Sequence, residues 1–204
     1  MKRFFTIMLL LFSWSIVSWA DSPLTSTEFA FAYSSSPMVK MAKNVKGDIP
    51  SELLAFLANS KAPIDERLAV VNQLGWDIEG TSYGSQLGDH LYEKYSVDND
   101  VDLAEKLDAG TLAVYAYASA MSNYLYVDFA SSLGHKAVEK NEGKSFSVAM
   151  ISALIDAQIN LDGDDWSKVY TVVADVVKDK TLKRDMNQEA IDAIMEYIDL
   201  YKDY

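Results

Sequence analysis

The chain contains only two histidines, and each has carboxylates within one helical turn. His90 lies between Asp89 and Glu93, and His135 precedes Glu139 by four residues. A histidine and a carboxylate on one helix face can share a metal ion, but a zinc site needs three or four protein ligands. The sequence has no cysteine and no pair of histidines at helical spacing. Pairing on a helix surface is therefore the favoured interpretation, and we predict no cofactor and no metal site.

Two acidic stretches have part of the spacing of a calcium-binding loop. In residues 158–169, Gly163 would take the sixth position, but Val169 stands where a bidentate glutamate is required. In Asp98–Asp102 acidic residues alternate with others, but Leu103 occupies the glycine position. Helix capping is the favoured interpretation of both stretches. A calcium-binding or small-ligand-binding protein stays open as an alternative.

The sequence contains no recognisable set of residues for nucleophilic catalysis. It has no cysteine, no Gly-x-Ser-x-Gly elbow and no glycine-rich phosphate loop. Acid–base catalysis by paired carboxylates needs only two acids in a cleft, and 30 acidic residues favour no particular pair. We therefore assign no catalytic residue and favour a non-enzymatic binding protein. A carboxylate-dependent enzyme acting on envelope glycan is the alternative.

Tyrosine is the most distinctive excess in the composition, with twelve residues. Its apolar ring and polar tip suit the edge of a core and a binding surface alike. As a binding surface, the aromatic residues would form a groove for a protein or peptide, or for a glycan. The candidate partner surface comprises Tyr115, Tyr117, Tyr124, Tyr126, Phe129 and Trp166.

The first twenty residues have the layout of a secretory signal peptide. A basic start at Lys2 is followed by an uncharged, mostly apolar stretch over 4–20, with small residues at Ser18 and Ala20. A membrane anchor is the alternative, but a spanning helix needs about 20 apolar residues. We predict that residues 1–20 are removed and that the protein is exported, to the periplasm or out of the cell.

Residues 21–204 have the size of one domain. A chain of this length buries about 70% of its unfolded surface, so it needs no disulfide or metal for stability. Removal of residues 1–20, which we call the leader, changes the net charge from −12 to −14. This charge repels the phosphate backbone of nucleic acids and anionic membrane surfaces, and it favours solubility. Nucleic-acid binding is therefore not expected.

Proline, glycine and aspartate divide the chain into helices. All four prolines lie in the first third, near the starts of short helices over 21–80, and longer helices follow over 81–204. The uncharged stretch Ala109–Val127 contains many hydroxyl groups, which favours a buried helix over a membrane span. No segment alternates apolar and polar residues over a strand length. The predicted fold is all-α, a single globular domain of about eight to ten helices.

Local signals predict the bounds of individual helices. Thr25 and Glu28 form a capping box ahead of an aromatic run, which predicts a first helix there. A helix over Ile64–Leu74 follows Pro63 and stops at Gly75. The last helix is predicted over 187–201, where apolar residues recur with helical spacing.

A faint internal repeat appears in the second half of the chain. A shift of 37 residues superposes Asn123 on Asn160 and Asp128 on Asp165. Repeats of this size are typical of stacked helical hairpins. The C-terminal half is therefore predicted to form antiparallel helical hairpins, with ordinary antiparallel packing as the alternative explanation.

One segment resembles a known repeat family. Ala130–Asn141 resembles the second helix of a tetratricopeptide-type hairpin, in which small residues such as Ala130 and Ala137 allow close packing. The resemblance covers about a dozen residues. The preceding helix departs from the family pattern at Met121, where an aromatic residue is usual, and the proline expected after the hairpin is missing. The resemblance implies a possible architecture of stacked hairpins.

Overall fold

The structure, a computed structural model, describes residues 21–76 and 82–204, so the predicted leader lies outside the described residues. Within these ranges the chain forms ten α-helices and no β-strand, which confirms the all-α prediction. The helices are α1 Pro37–Ala42, α2 Ser51–Leu57, α3 Ile64–Leu74, α4 Tyr83–Tyr95, α5 Asp100–Lys106, α6 Ala109–Ser122, α7 Asp128–Asn141, α8 Phe146–Asp162, α9 Trp166–Lys178 and α10 Gln188–Ile198. Short 3-10 helices lie at Ala30–Tyr33 and Asp199–Tyr201.

The first predicted helix is wrong, because the chain there forms only the 3-10 turn Ala30–Tyr33. The backbone N–H groups of Phe29 and Ala30 donate to Oδ1 of Asn72 in α3, at 2.8 and 2.9 Å. The Asn72 amide in turn donates to the carbonyl oxygen of Thr27 at 3.0 Å. The side chain of Asn72, which is distant in sequence, therefore makes the hydrogen bonds that these backbone groups would otherwise make within a helix.

Helices α6 and α8 form the centre of the core. In α6 every residue from Thr111 to Ala118 is buried, and α8 is buried over most of its length. The other helices pack around them: α3, α4, α7 and α8 contact α6, while α7 and α9 contact α8. Among the residues described, none of the helices combines the length and the apolar character needed to cross a bilayer. The uncharged stretch is thus a buried core helix, as its hydroxyl groups predicted.

Two glycines allow helices to pack closely around this core. A Cβ on Gly84 would lie 2.8 Å from the carbonyl oxygen of Ala118, so glycine brings α4 against the backbone of α6. A Cβ on Gly134 would lie 3.1 Å from Oγ of Ser152, which places α7 close to α8. Real side chains rarely tolerate such distances, because interiors are already closely packed.

The second half of the chain forms two successive hairpins, α6–α7 and α8–α9, whose helices pack against each other. The turns of the two hairpins are not built identically. Asn123 is the residue that follows α6, whereas Asn160 lies inside α8. Asp165 stands immediately before α9, but its carboxylate makes no capping hydrogen bond there. The hairpin prediction therefore describes the order of helices better than it describes their turns.

Cationic side chains bind the C-terminal ends of helices elsewhere in the fold. The Lys140 ammonium of α7 donates three hydrogen bonds, of 2.6, 2.8 and 2.7 Å, to carbonyl oxygens at the end of α5: those of Ala104, Glu105 and Leu107. Lys94 binds the end of α2 in the same way through the carbonyl oxygen of Ala58. Such contacts are favourable, because the C-terminal end of a helix carries partial negative charge. Lys94 and Lys140 therefore have structural roles in this fold.

Candidate functional site

Of the six aromatic residues that the sequence placed on one partner surface, the structure buries three and exposes three, and it brings the rings of Tyr115 and Phe129 within 6.2 Å of each other. Tyr115, Tyr117 and Tyr124 are buried, so their rings belong to the core and not to a partner surface. The physical reason is the central position of α6, which carries Tyr115 and Tyr117 and is enclosed by four other helices. Burial raises the pKa of both hydroxyl groups, as expected when charge would have to form away from water.

The other three residues are accessible. Tyr126 is 75% exposed in the turn before α7, and Phe129 and Trp166 lie exposed at the starts of α7 and α9. The ring of Trp166 packs near Tyr201 and Tyr204, with centroids 6.2 and 5.1 Å apart. A partner role for these three residues stays a prediction.

A wide, open and mostly apolar groove of about 600 Å³ lies between the two hairpins. We call it the hairpin groove. Helix α8 forms its floor with Ala149, Ser152 and Ala153. Its walls are Val138 of α7 on one side and Val172 and Val176 of α9 on the other.

The groove results from side-chain size and from the width of the apolar face of α9. The small residues on the floor leave space between the flanking helices. Helix α9 buries Val169 and Val173 fully, and Val172 and Val176 form a second apolar row beside them that is only partly buried. A helix that only completed a core would need a narrower apolar face. In the sequence, the second row appears only as an apolar face wider than a core contact needs, and it does not show which row faces a groove.

One edge of the hairpin groove carries a polar cluster. Asp156 of α8 receives a hydrogen bond from Oγ of Ser131 at 2.9 Å, and Nε2 of His135 lies 2.9 Å from both of its carboxylate oxygens. The sequence predicted that His135 pairs with Glu139 on the same helix. The structure corrects this, because His135 of α7 contacts Asp156 of α8. A catalytic triad requires histidine between serine and the acid. Here Asp156 lies between Ser131 and His135, so the histidine cannot activate the serine.

Two further carboxylates belong to the surroundings of the groove, one on each wall. Glu139 of α7 lies 3.8 Å from Lys136, and Asp175 of α9 lies 3.3 Å from Lys178. These ion pairs are exposed and join residues on the same helix. Exposed pairs of this kind contribute little to stability, so neither acid is held firmly by its lysine.

The acids with raised pKa values lie away from the hairpin groove. Burial raises the pKa of Asp65 at the start of α3, where its carboxylate faces the hydroxyl of Tyr33. Burial also raises the pKa of Asp162, which receives a 3.0 Å hydrogen bond from the amide of Gln158. Asp65 and Asp162 stand on different helices, and neither lines the groove.

The acidic stretches and the two histidines are the candidates for metal ligation in the sequence. The described part of the chain has no group of three or more His, Cys, Asp or Glu side chains placed to hold a metal ion. In the 98–102 stretch, Asn99 caps α5 by accepting the N–H of Asp102 at 2.9 Å. This stretch therefore has the capping role that its sequence favoured.

The most buried charged group is the guanidinium of Arg67 in α3. It donates to the carbonyl oxygen of Leu57 at 3.3 Å and to Oγ1 of Thr111 at 3.1 Å, while its Nε is buried without a hydrogen-bond partner. Burial lowers the Arg67 pKa, and the nearby charge of Asp108 opposes that shift. The group joins the end of α2 to the start of α6, which is a structural role.

No family model matches this chain, and no curated protein or solved structure is significantly similar to it. Its class is therefore defined by the geometry above: a single all-α domain with an open apolar groove between two helical hairpins.

Proposed function

We propose that this protein is a non-enzymatic, exported binding protein whose hairpin groove takes an amphipathic helix of a protein or peptide partner. The observation that carries the proposal is the groove itself, in which Val138, Val172 and Val176 stay accessible to solvent above a floor of small residues. Apolar grooves between helices are common sites for peptide helices, which insert an apolar stripe.

The dimensions of the groove support a helical occupant. The floor runs along α8 from Ala149 to Asp156, which corresponds to about 10 Å, or two helical turns. A helix placed in this space would insert apolar side chains spaced three and four residues apart. Alanine on the floor would allow the bound helix to approach α8 closely, in the way that Gly134 already allows α7 to do.

The charges around the groove support a basic partner. Glu139 and Asp175 stand on opposite walls, and the whole chain carries a net charge of −12. Opposite charge on a partner speeds association and fixes its orientation. The proposed occupant therefore has an apolar stripe with lysine or arginine on both sides of it.

A designed peptide tests this function directly. The probe is a labelled helix of about 15 residues, with leucines on one stripe and lysines beside it. A scrambled peptide of identical composition is its control. We expect fluorescence anisotropy to show that the striped peptide binds saturably and at least about tenfold more tightly than the scrambled peptide. Val176→Asp should weaken binding at least about tenfold, whereas Val101→Asp, at an exposed position outside the groove, should leave it unchanged.

Two results would contradict the proposal. Equal binding of the scrambled and striped peptides would mean that charge alone attracts them. Equal loss of binding in Val101→Asp and Val176→Asp would mean that the contact lies outside the groove. Thermal unfolding of both variants establishes beforehand that they are folded.

Export is part of the proposal and has its own test. The layout of residues 1–20 supports removal of the leader after Ala20. When the gene is expressed in a bacterium, we expect intact-mass measurement of the exported fraction to give a chain beginning at Asp21. Recovery of the chain from membranes with Met1 retained would contradict export by this route.

A further inference from the structure

A second accessible surface lies around Phe31, on elements that contribute nothing to the hairpin groove. Two adjoining clefts, of about 310 and 520 Å³, share Glu28 and Phe31 in their linings. Trp76 and Gln73 contribute to the smaller cleft, which we call cleft A. Leu200 and Glu196 contribute to the larger one, cleft B.

Three exposed apolar or aromatic side chains line these clefts. Phe31 is 53% exposed although its neighbours Ala30 and Tyr33 are buried, and Trp76 and Leu200 are exposed too. Single exposed apolar residues are ordinary, but several around shared clefts are typical of binding sites. The face of an aromatic ring attracts cations as well as apolar groups.

The charged side chains that the described residues contribute to this surface are acidic. Among the described residues, those that line clefts A and B include Glu28 and Glu196 but no lysine, arginine or histidine. Clefts A and B therefore combine aromatic faces with carboxylates, which is the chemistry that recognises ammonium and guanidinium groups.

We propose that clefts A and B bind two cationic side chains of a basic, extended peptide segment. In cleft A, a lysine or arginine head group packs against the rings of Phe31 and Trp76 and pairs with Glu28. In cleft B, a second cation pairs with Glu196 while its aliphatic part covers Leu200. Arginine suits cleft A best, because its planar guanidinium both stacks on aromatic rings and pairs with a carboxylate.

This surface is independent of the hairpin groove, since no residue lines both. A protein with both sites would hold a helix in one and a basic segment in the other. Two linked contacts raise the overall affinity well above that of either alone.

The test uses a capped tetra-arginine peptide and isothermal titration calorimetry with the purified protein. Tetra-citrulline is the matched control peptide, since it keeps the shape of arginine without its charge. A neutral tetrasaccharide is titrated as the competing class of ligand. We expect saturable heat from tetra-arginine, and none from tetra-citrulline or the tetrasaccharide.

Matched variants separate these clefts from the general negative charge of the protein. Glu28→Gln with Glu196→Gln should weaken tetra-arginine binding by about tenfold. Glu52→Gln with Glu93→Gln makes the same change of charge at exposed sites on α2 and α4, and it should cause less than about a twofold change.

The aromatic contribution is tested in the same way. Phe31→Ser should weaken binding, and Leu125→Ser is its control because Leu125 is also 53% exposed. Equal effects within either matched pair would overturn the proposal, because binding would then reflect charge or exposed apolar area in general. Binding of the tetrasaccharide in place of tetra-arginine would overturn it as well, and would identify a sugar site.

Discussion

The side-chain amide of Asn72 donates a 2.9 Å hydrogen bond to the phenolic oxygen of Tyr117, whose ring is fully buried. This contact joins α3 to α6. The same amide binds the backbone of the N-terminal segment at Thr27, Phe29 and Ala30. Asn72 thus uses both donors and both acceptor positions of its side chain, and it connects three parts of the fold.

Replacement of Asn72 should destabilise the protein strongly. Asn72→Leu leaves the N–H groups of Phe29 and Ala30 buried without partners, and we expect a loss of about 2–4 kcal/mol in unfolding free energy. Tyr117→Phe removes one partner of the same amide and should cost about 1 kcal/mol. Urea denaturation measures both values. Asn44→Ala, on the surface, is the control, and an Asn72→Leu value no larger than that of Asn44→Ala would contradict this role.

Lys140 should contribute more to the free energy of unfolding than its position near the surface suggests. Lys140→Met removes three hydrogen bonds to the end of α5, and we expect it to cost about 1–2 kcal/mol. Lys136→Met, one turn earlier, removes an exposed ion pair with Glu105 and should have little effect. Urea denaturation of the two variants compares them directly. Equal losses would mean that the capping contact contributes no more than a surface pair.

Asp65 should make the fold less stable as pH rises. Its folded pKa is raised above the unfolded value of 3.8, mainly by burial, so the folded state holds this proton more tightly. Unfolding then releases a proton, and the contribution of Asp65 to stability falls as pH rises through the folded pKa. Asp65→Asn should therefore gain stability relative to the native protein near neutral pH and lose that gain below pH 3.8. Urea denaturation across this range tests the sign, and lower stability of the variant at neutral pH would contradict it.

Local signals predicted the helices well where the chain itself supplies the cap. Helix α3 covers Ile64–Leu74 as predicted, because Pro63 and Gly75 define its ends within the segment. The uncharged α6 was predicted to be buried for an equally local reason. The 3-10 turn at Ala30–Tyr33 could not be predicted in this way, since Asn72 lies 43 residues from Phe29.

The residues of the candidate site could not be predicted from the sequence, because they depend on how the helices pack, and the helical spacing of apolar residues does not specify this. Sequence reasoning selected Tyr115 and Tyr117 for their residue type, but the packing of α6 encloses them. The groove valines Val138 and Val176 were missed because a partly exposed row and a buried row have the same helical spacing. Only the arrangement of α7, α8 and α9 shows which row faces a groove.

The binding role of the hairpin groove is tested most directly by methyl NMR of the purified protein during titration with the striped peptide. We expect the largest shift changes at Val138, Val172 and Val176, with Val101 and Val114, the valine of α6, unchanged. Unchanged signals at these three groove valines, or changes spread evenly over the exposed methyl groups, would contradict the account.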